Sequence, residues 1–237
     1  MAFGFGPVMI IGFLFMGIGM LVSYVLKSKF SRYSELPSQR GMTGREIAER
    51  MLSDNGIYDV RVTCVAGQLT DHYNPLDKTV NLSEGVYNGA NAAAAAVAAH
   101  ECGHAVQHAQ AYAPLNFRSK LVPLQNISGT VINMIMMVSF IGGSVLFTSF
   151  PTTLVASVII GAYGVMTLFS LVTLPVEFDA SKRALQWIQS SGISTTQEYE
   201  QSKDALKWAA MTYVVAALGA LVTLLYFVLS FMGASED

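Results

Sequence analysis

Five consecutive residues carry the densest chemistry in this chain: His100-Glu101-Cys102-Gly103-His104, an H-E-x-x-H pattern. On a helix, residues four apart share a face, so both imidazoles can bind one metal ion. The Glu after the first His then reaches a water on that ion. Such a set hydrolyses a stable bond with metal-activated water. With 4 His in 237 residues, the pattern arises by chance in roughly 0.003 of chains of this composition, for a motif whose mechanism is known. Coincidence is therefore a poor explanation. The bland alternative, two satisfied polar groups on a buried helix, is disfavoured because the local sequence is helical and further acidic candidates follow.

Catalytic zinc usually takes three protein ligands and a water. His108 shares the helical face, but His100, His104 and His108 span about 12 Å of helix, too far for one ion. Gln107 and Gln110 stand where the extended form of the motif has its Gly and third His. Glu177 is the better third ligand. It is the first charge after 56 uncharged residues, at the water end of a predicted span, and an ionisable group at that depth is costly unless partnered. The competing reading is a helix N-terminal acid favoured by the macrodipole. An oxyanion donor is also needed; His72 and Tyr73 are the candidates, against a surface His and a strand-end aromatic. The segment 79–83 reads either as a sheet edge to which an extended peptide could add or as a plain structural strand. Cys102 points in a different helical direction from the two His and reads as inert packing.

These residues need a scaffold, and the charges reveal it. Only 13% of residues are charged and 52% are apolar, where a soluble domain averages roughly a quarter charged. Segments 1–26, 121–176 and 208–235 contain no Asp, Glu, Lys or Arg. A span needs about 20 apolar residues, so the outer blocks suit one crossing each. The middle block would be about 84 Å long as one helix and suits two, broken at Phe150-Pro151-Thr152-Thr153. Four spans are predicted: 5–26, 128–149, 154–174 and 211–232. The first has no basic leader or small-residue cleavage site and is followed by Lys27, Lys29 and Arg32, so it reads as a retained anchor.

The division is then 1–26 first span, 27–120 polar lobe with the H-E-x-x-H helix, 121–176 transmembrane hairpin, 177–207 polar helical segment with the third ligand, and 208–237 last span and tail. All 14 Lys and Arg fall in 27–120 and 177–207, which places both polar segments in the cytoplasm and keeps Cys64 and Cys102 reduced. Within them, Thr43-Gly44-Arg45-Glu46 and 195–198 have capping-box form. Segments 60–65, about 69–73 and 79–83 read as strands, and a long helix is predicted over about 88–113 from its Ala-rich run. A further helix over 177–190 ends at Gly192. The fold class is a mainly α membrane protein: four transmembrane helices with a small cytoplasmic α+β, zincin-like lobe. Disordered, collagen-like and disulfide-scaffold classes are excluded by composition, and a net charge of −2 without a basic stripe gives no reason to invoke nucleic acid.

His100-Glu101-Cys102-Gly103-His104, Thr70-Asp71-His72-Tyr73-Asn74-Pro75, Lys78-Thr79-Val80-Asn81-Leu82-Ser83 and Leu174-Pro175-Val176-Glu177-Phe178-Asp179-Ala180-Ser181 together resemble the YugP-type bacterial membrane zinc metallopeptidases, over nearly the whole chain. The site logic is also similar to HtpX-type and CAAX prenyl-protease-type peptidases, whose third ligand lies in an E-[FY]-x-A-D sequence. Here Ser181 takes the place of that Asp, which orients a ligating His, and Asp179 is a candidate substitute. The resemblance implies one Zn2+ per chain on His100, His104 and Glu177, with Glu101 as general base. His72, Tyr73, Asp179 and Ser181 are candidates for supporting roles. It further implies a multi-pass protein of the bacterial inner membrane, with a cytoplasmic site acting on peptides or on membrane or unfolded proteins. The expected function is zinc-dependent endopeptidase. The alternatives are a non-catalytic membrane adaptor with a structural zinc and a transporter; spans free of ionisable residues weaken the latter.

Overall fold

The computed structural model describes residues 5–142 and 149–234. The elements in chain order are α1 (Phe5–Ser34), α2 (Gly44–Asp54), β1 (Arg61–Val65), β2 (His72–Asn74), β3 (Thr79–Ser83), α3 (Glu84–Tyr87), α4 (Ala92–Ala109), α5 (Ala113–Gly142), α6 (Thr152–Ser190) and α7 (Thr196–Ala234). Two compact units result: one of 1–20, 117–174 and 213–237, the other of 21–116 and 175–212.

The first unit is apolar inside and out. Its helices belong to four segments long and apolar enough to cross a membrane, with mean hydropathy from 1.4 to 2.4 in the most apolar windows. Val8, Ile132, Val155, Ile159, Ala162 and Phe227 are buried together. Phe13, Phe140 and Leu229 face outward, Phe140 at 90% exposure, a pattern that suits lipid rather than water. The predicted break holds at Pro151, whose carbonyl accepts from the Leu154 and Val155 amides as α6 begins. The predicted second span, 128–149, extends over 143–148, outside the described residues; the described helix starts earlier, at Ala113.

The second unit is the mixed lobe. Its sheet has the order β1-β3-β2, with β1 parallel to β3 (Arg61 opposite Thr79) and β2 antiparallel to it (His72 opposite Asn81). The reading of 79–83 as an available sheet edge is therefore overturned. Both hydrogen-bonding sides of β3 are taken, and its Val80 and Leu82 are fully buried.

Both capping boxes form. Thr43 Oγ1 accepts from the Glu46 amide at 3.3 Å and the Thr43 amide donates to Glu46; Thr195 and Glu198 repeat the exchange. Behind the first box, α2 buries Ile47, Ala48, Met51 and Leu52. The Ala run of α4 is a close-packing face, with Ala93, Ala94, Ala96, Ala98 and Ala99 all buried in the same cluster or beside it. This helix is shorter than the predicted 88–113. Asn91 caps it in an extended conformation, its side chain accepting from the Ala94 amide, and Ala111 takes a left-handed φ of 51° just beyond its end.

Two further departures bear on the site. Helix α6 is continuous from Thr152 to Ser190 with Pro175 inside it, where the sequence suggested a span ending at 174 and a separate helix from 177. The missing amide costs one intrahelical hydrogen bond, and the helix is held just beyond it by packing against α4, where Gln107 donates to the Val176 carbonyl and Gly103 meets Ala180. A Cβ on Gly103 would stand 2.6 Å from the Ala180 carbonyl oxygen and 3.1 Å from its Cα. Gly103→Ala should therefore destabilise the lobe by about 1–3 kcal/mol through overpacking, despite the better helix propensity of Ala. Denaturation of the variant in detergent checks this; an unchanged or raised midpoint would show that the two backbones do not need to approach so closely.

Candidate metal centre

Helix α4 carries His100 and His104 one turn apart, as their spacing requires. Their rings stand edge to face with centroids 4.8 Å apart. Glu177 enters from α6: its Oε2 lies 3.3 Å from His100 Nε2 and 3.6 Å from His104 Nε2. The three donor atoms lie within 4.8 Å of one another. Zinc bonds of about 2.0–2.2 Å in a tetrahedron put neighbouring donors about 3.4 Å apart, so these side chains fit a zinc ion with little movement. Glu177 is 3% exposed, and a buried carboxylate between two imidazoles suits a cation.

The remaining ring nitrogens are held from behind. Gln107, wholly buried, spends both amide hydrogens on the Val176 carbonyl and on Asp179 Oδ2, each at 2.8 Å. Its Oε1 is then the acceptor, 3.0 Å from His104 Nδ1, which puts the proton on Nδ1 and leaves Nε2 as the donor to a metal. Ser181 Oγ lies 3.1 Å from His100 Nδ1. Ser181 thus keeps contact with a ring nitrogen through its hydroxyl. Asp179 touches neither His; it accepts from Gln107 and from Arg183. Gln107 was visible in the sequence only as a missing Gly. The signal was its place three residues after His104 on the same face of a small, apolar helix.

Glu101 lies beside the cluster, 8% exposed, and its Oε2 accepts from the Tyr73 amide of β2 at 3.0 Å. A strand edge thus fixes the carboxylate. The Tyr73 hydroxyl pairs with His108 Nδ1 at 2.8 Å, so His108 stands outside the cluster, as the 12 Å span required. The ring nitrogens of exposed His72 lie 2.7 Å from the Thr70 carbonyl and 3.2 Å from Asn81 Nδ2. Burial alone would lower the pKa of His104, but neighbouring Glu177 and Glu101 outweigh it and raise the pKa above the ordinary imidazole value. A metal must displace that proton. Burial pushes the Cys102 thiol well up; its Sγ faces the Ala48 carbonyl, as inert packing predicts.

The site and the spans agree with what comparison finds. The chain is 40% identical over 222 residues to the "Putative membrane protease YugP" of Bacillus subtilis (strain 168), covering 94% of this chain and 95% of the relative. No solved structure matches it. A family model described as "Putative neutral zinc metallopeptidase" matches residues 8–232, and with four membrane-length helices and a His-His-Glu cluster that can hold zinc, the chain belongs to this zinc metallopeptidase family as a multi-pass membrane protein.

Proposed function

We propose that this protein is a zinc-dependent endopeptidase whose ligands are His100, His104 and Glu177 and whose general base is Glu101. The observation that carries the proposal is the meeting of the Glu177 carboxylate with both imidazoles, at 3.3 and 3.6 Å, beside a fixed second carboxylate, Glu101. Zinc bound there would supply an acidified water, with a pKa near 7, and a Lewis acid for the peptide carbonyl. Glu101, anchored through Oε2 by Tyr73, has Oε1 left to take the proton from the attacking water and pass it to the leaving amine. Gln107 and Ser181, each within hydrogen-bond distance of a ring nitrogen, aim the imidazoles. The name of the relative supports a protein or peptide substrate. The confinement of all 14 Lys and Arg to 27–120 and 177–207 supports a cytoplasmic site in a bacterial inner membrane, with 121–176 as the hairpin between the two polar segments.

Metal removal tests the reading. Protein purified in detergent should contain about one equivalent of zinc, lose cleavage of an unfolded protein when a chelator strips it, and recover on adding zinc back. Full proteolysis by stripped protein would defeat the proposal, and bound zinc without chelator-sensitive cleavage would favour the adaptor. A finer test is Gln107→Leu, which keeps the volume but removes the acceptor for His104. Zinc affinity should fall about 10–100-fold in a competition titration, and an unchanged affinity would show that Gln107 only packs.

A further inference from the structure

A recess opens between α6 and α7, with a volume of about 440 Å³. Much of its lining is apolar, with Phe178 and Leu185 from one helix and Leu206, Ala210 and Met211 from the other, and Leu206 and Ala210 are buried. Its rim is basic, formed by Lys182 on α6 and by Lys203 and Lys207 on α7. Lys203 has an exposed partner in Glu200 at 3.6 Å. Among the described residues, neither Lys182 nor Lys207 lies within salt-bridge distance of a carboxylate. The neighbouring acids are engaged, Asp204 by Lys29 and Tyr33 and Asp179 by Arg183 and Gln107.

The recess sits where both helices change character. Lys207 is the last charge before 28 uncharged residues, and α6 emerges from 56 uncharged residues at Glu177. This is the depth at which lipid phosphates lie. An apolar slot closed by three ammonium groups matches a molecule with an acyl chain and an anionic head. We infer that the groove between α6 and α7 binds one anionic glycerophospholipid of the surrounding leaflet, its phosphate among Lys182, Lys203 and Lys207 and an acyl chain running toward the apolar ends of the two helices along Phe178, Ala210 and Met211. The inference does not rest on the zinc chemistry. Ser181, which lines the same groove, also touches His100, so the bound lipid lies one side chain from the metal centre.

The test is native mass spectrometry of the full chain released from nanodiscs holding equimolar phosphatidylglycerol and phosphatidylcholine. Wild-type protein should retain phosphatidylglycerol in preference to phosphatidylcholine. K182Q/K203Q/K207Q should lose that retention by about tenfold or more, and K182R/K203R/K207R should keep it. Zinc content and circular dichroism report whether each variant is folded; if the Gln variant is not, the Arg variant and the wild-type preference between the two lipids decide. Equal retention of both lipids by wild type, or phosphatidylglycerol retention that survives the three Gln substitutions in folded protein, overturns the inference. So does binding of an acidic, apolar peptide that depends on the three lysines in pure phosphatidylcholine discs, because the groove would then belong to substrate.

Discussion

Replacing Glu101 by Gln should lower peptide hydrolysis by about 10²–10⁴-fold, the usual contribution of a positioned acid–base group, while zinc remains bound. Gln has the same shape, and its side-chain oxygen can still accept from the Tyr73 amide that holds Glu101 Oε2 at 3.0 Å. What disappears is the capacity to carry a proton. Glu101 is not among the three residues that can hold the ion, so metal content should stay near that of the wild type. Turnover of a quenched fluorescent peptide and zinc by atomic absorption are measured on the same preparation. Turnover within a few-fold of wild type would remove Glu101 from the chemistry; loss of zinc and activity together would make it a structural residue.

The second large effect belongs to Glu177→Ala. Two imidazoles on one turn are a weak site, and catalytic zinc needs a third protein ligand. Zinc affinity is expected to fall by about a hundredfold or more, taking activity with it. Glu177 is buried, and alanine also opens a small void beside Val176 and Ala180, both fully buried. The Gln variant separates the causes: it fills the space but offers a neutral amide that binds zinc poorly, so it should lose zinc too while folding like wild type. A competition titration with a chromogenic chelator reads the affinity. Wild-type affinity in Glu177→Gln would refute the ligand role, and loss in the Ala variant alone would point to packing.

Much of this site could be read before any coordinates, and for local reasons. The spacing of His100 and His104 places them on one face of any helix, and the Ala run makes that helix. The capping boxes at Thr43 and Thr195 are contained in four residues each. Long uncharged blocks identify the spans because the bilayer penalises charge wherever it occurs. Strand existence was legible as well, but strand order was not. Which partner lies on each side of β3 depends on how 61–65 and 72–74 return to it, and alternation in a five-residue strand is silent about that.

The sequence by itself determined the residue types of the candidate site, the helix that presents two of them, and the division into bilayer and water-exposed parts, because each follows from short-range periodicity or from composition. Only the tertiary structure decided that Glu177 meets both imidazoles, that Gln107 orients His104 and not a distant ligand, and that a serine stands behind His100. Those contacts link α4 to a helix far along the chain. They are set by one close approach, Gly103 against Ala180, on a helix that continues past Pro175. Packing between distant elements fixes such distances, and local propensity has no term for them.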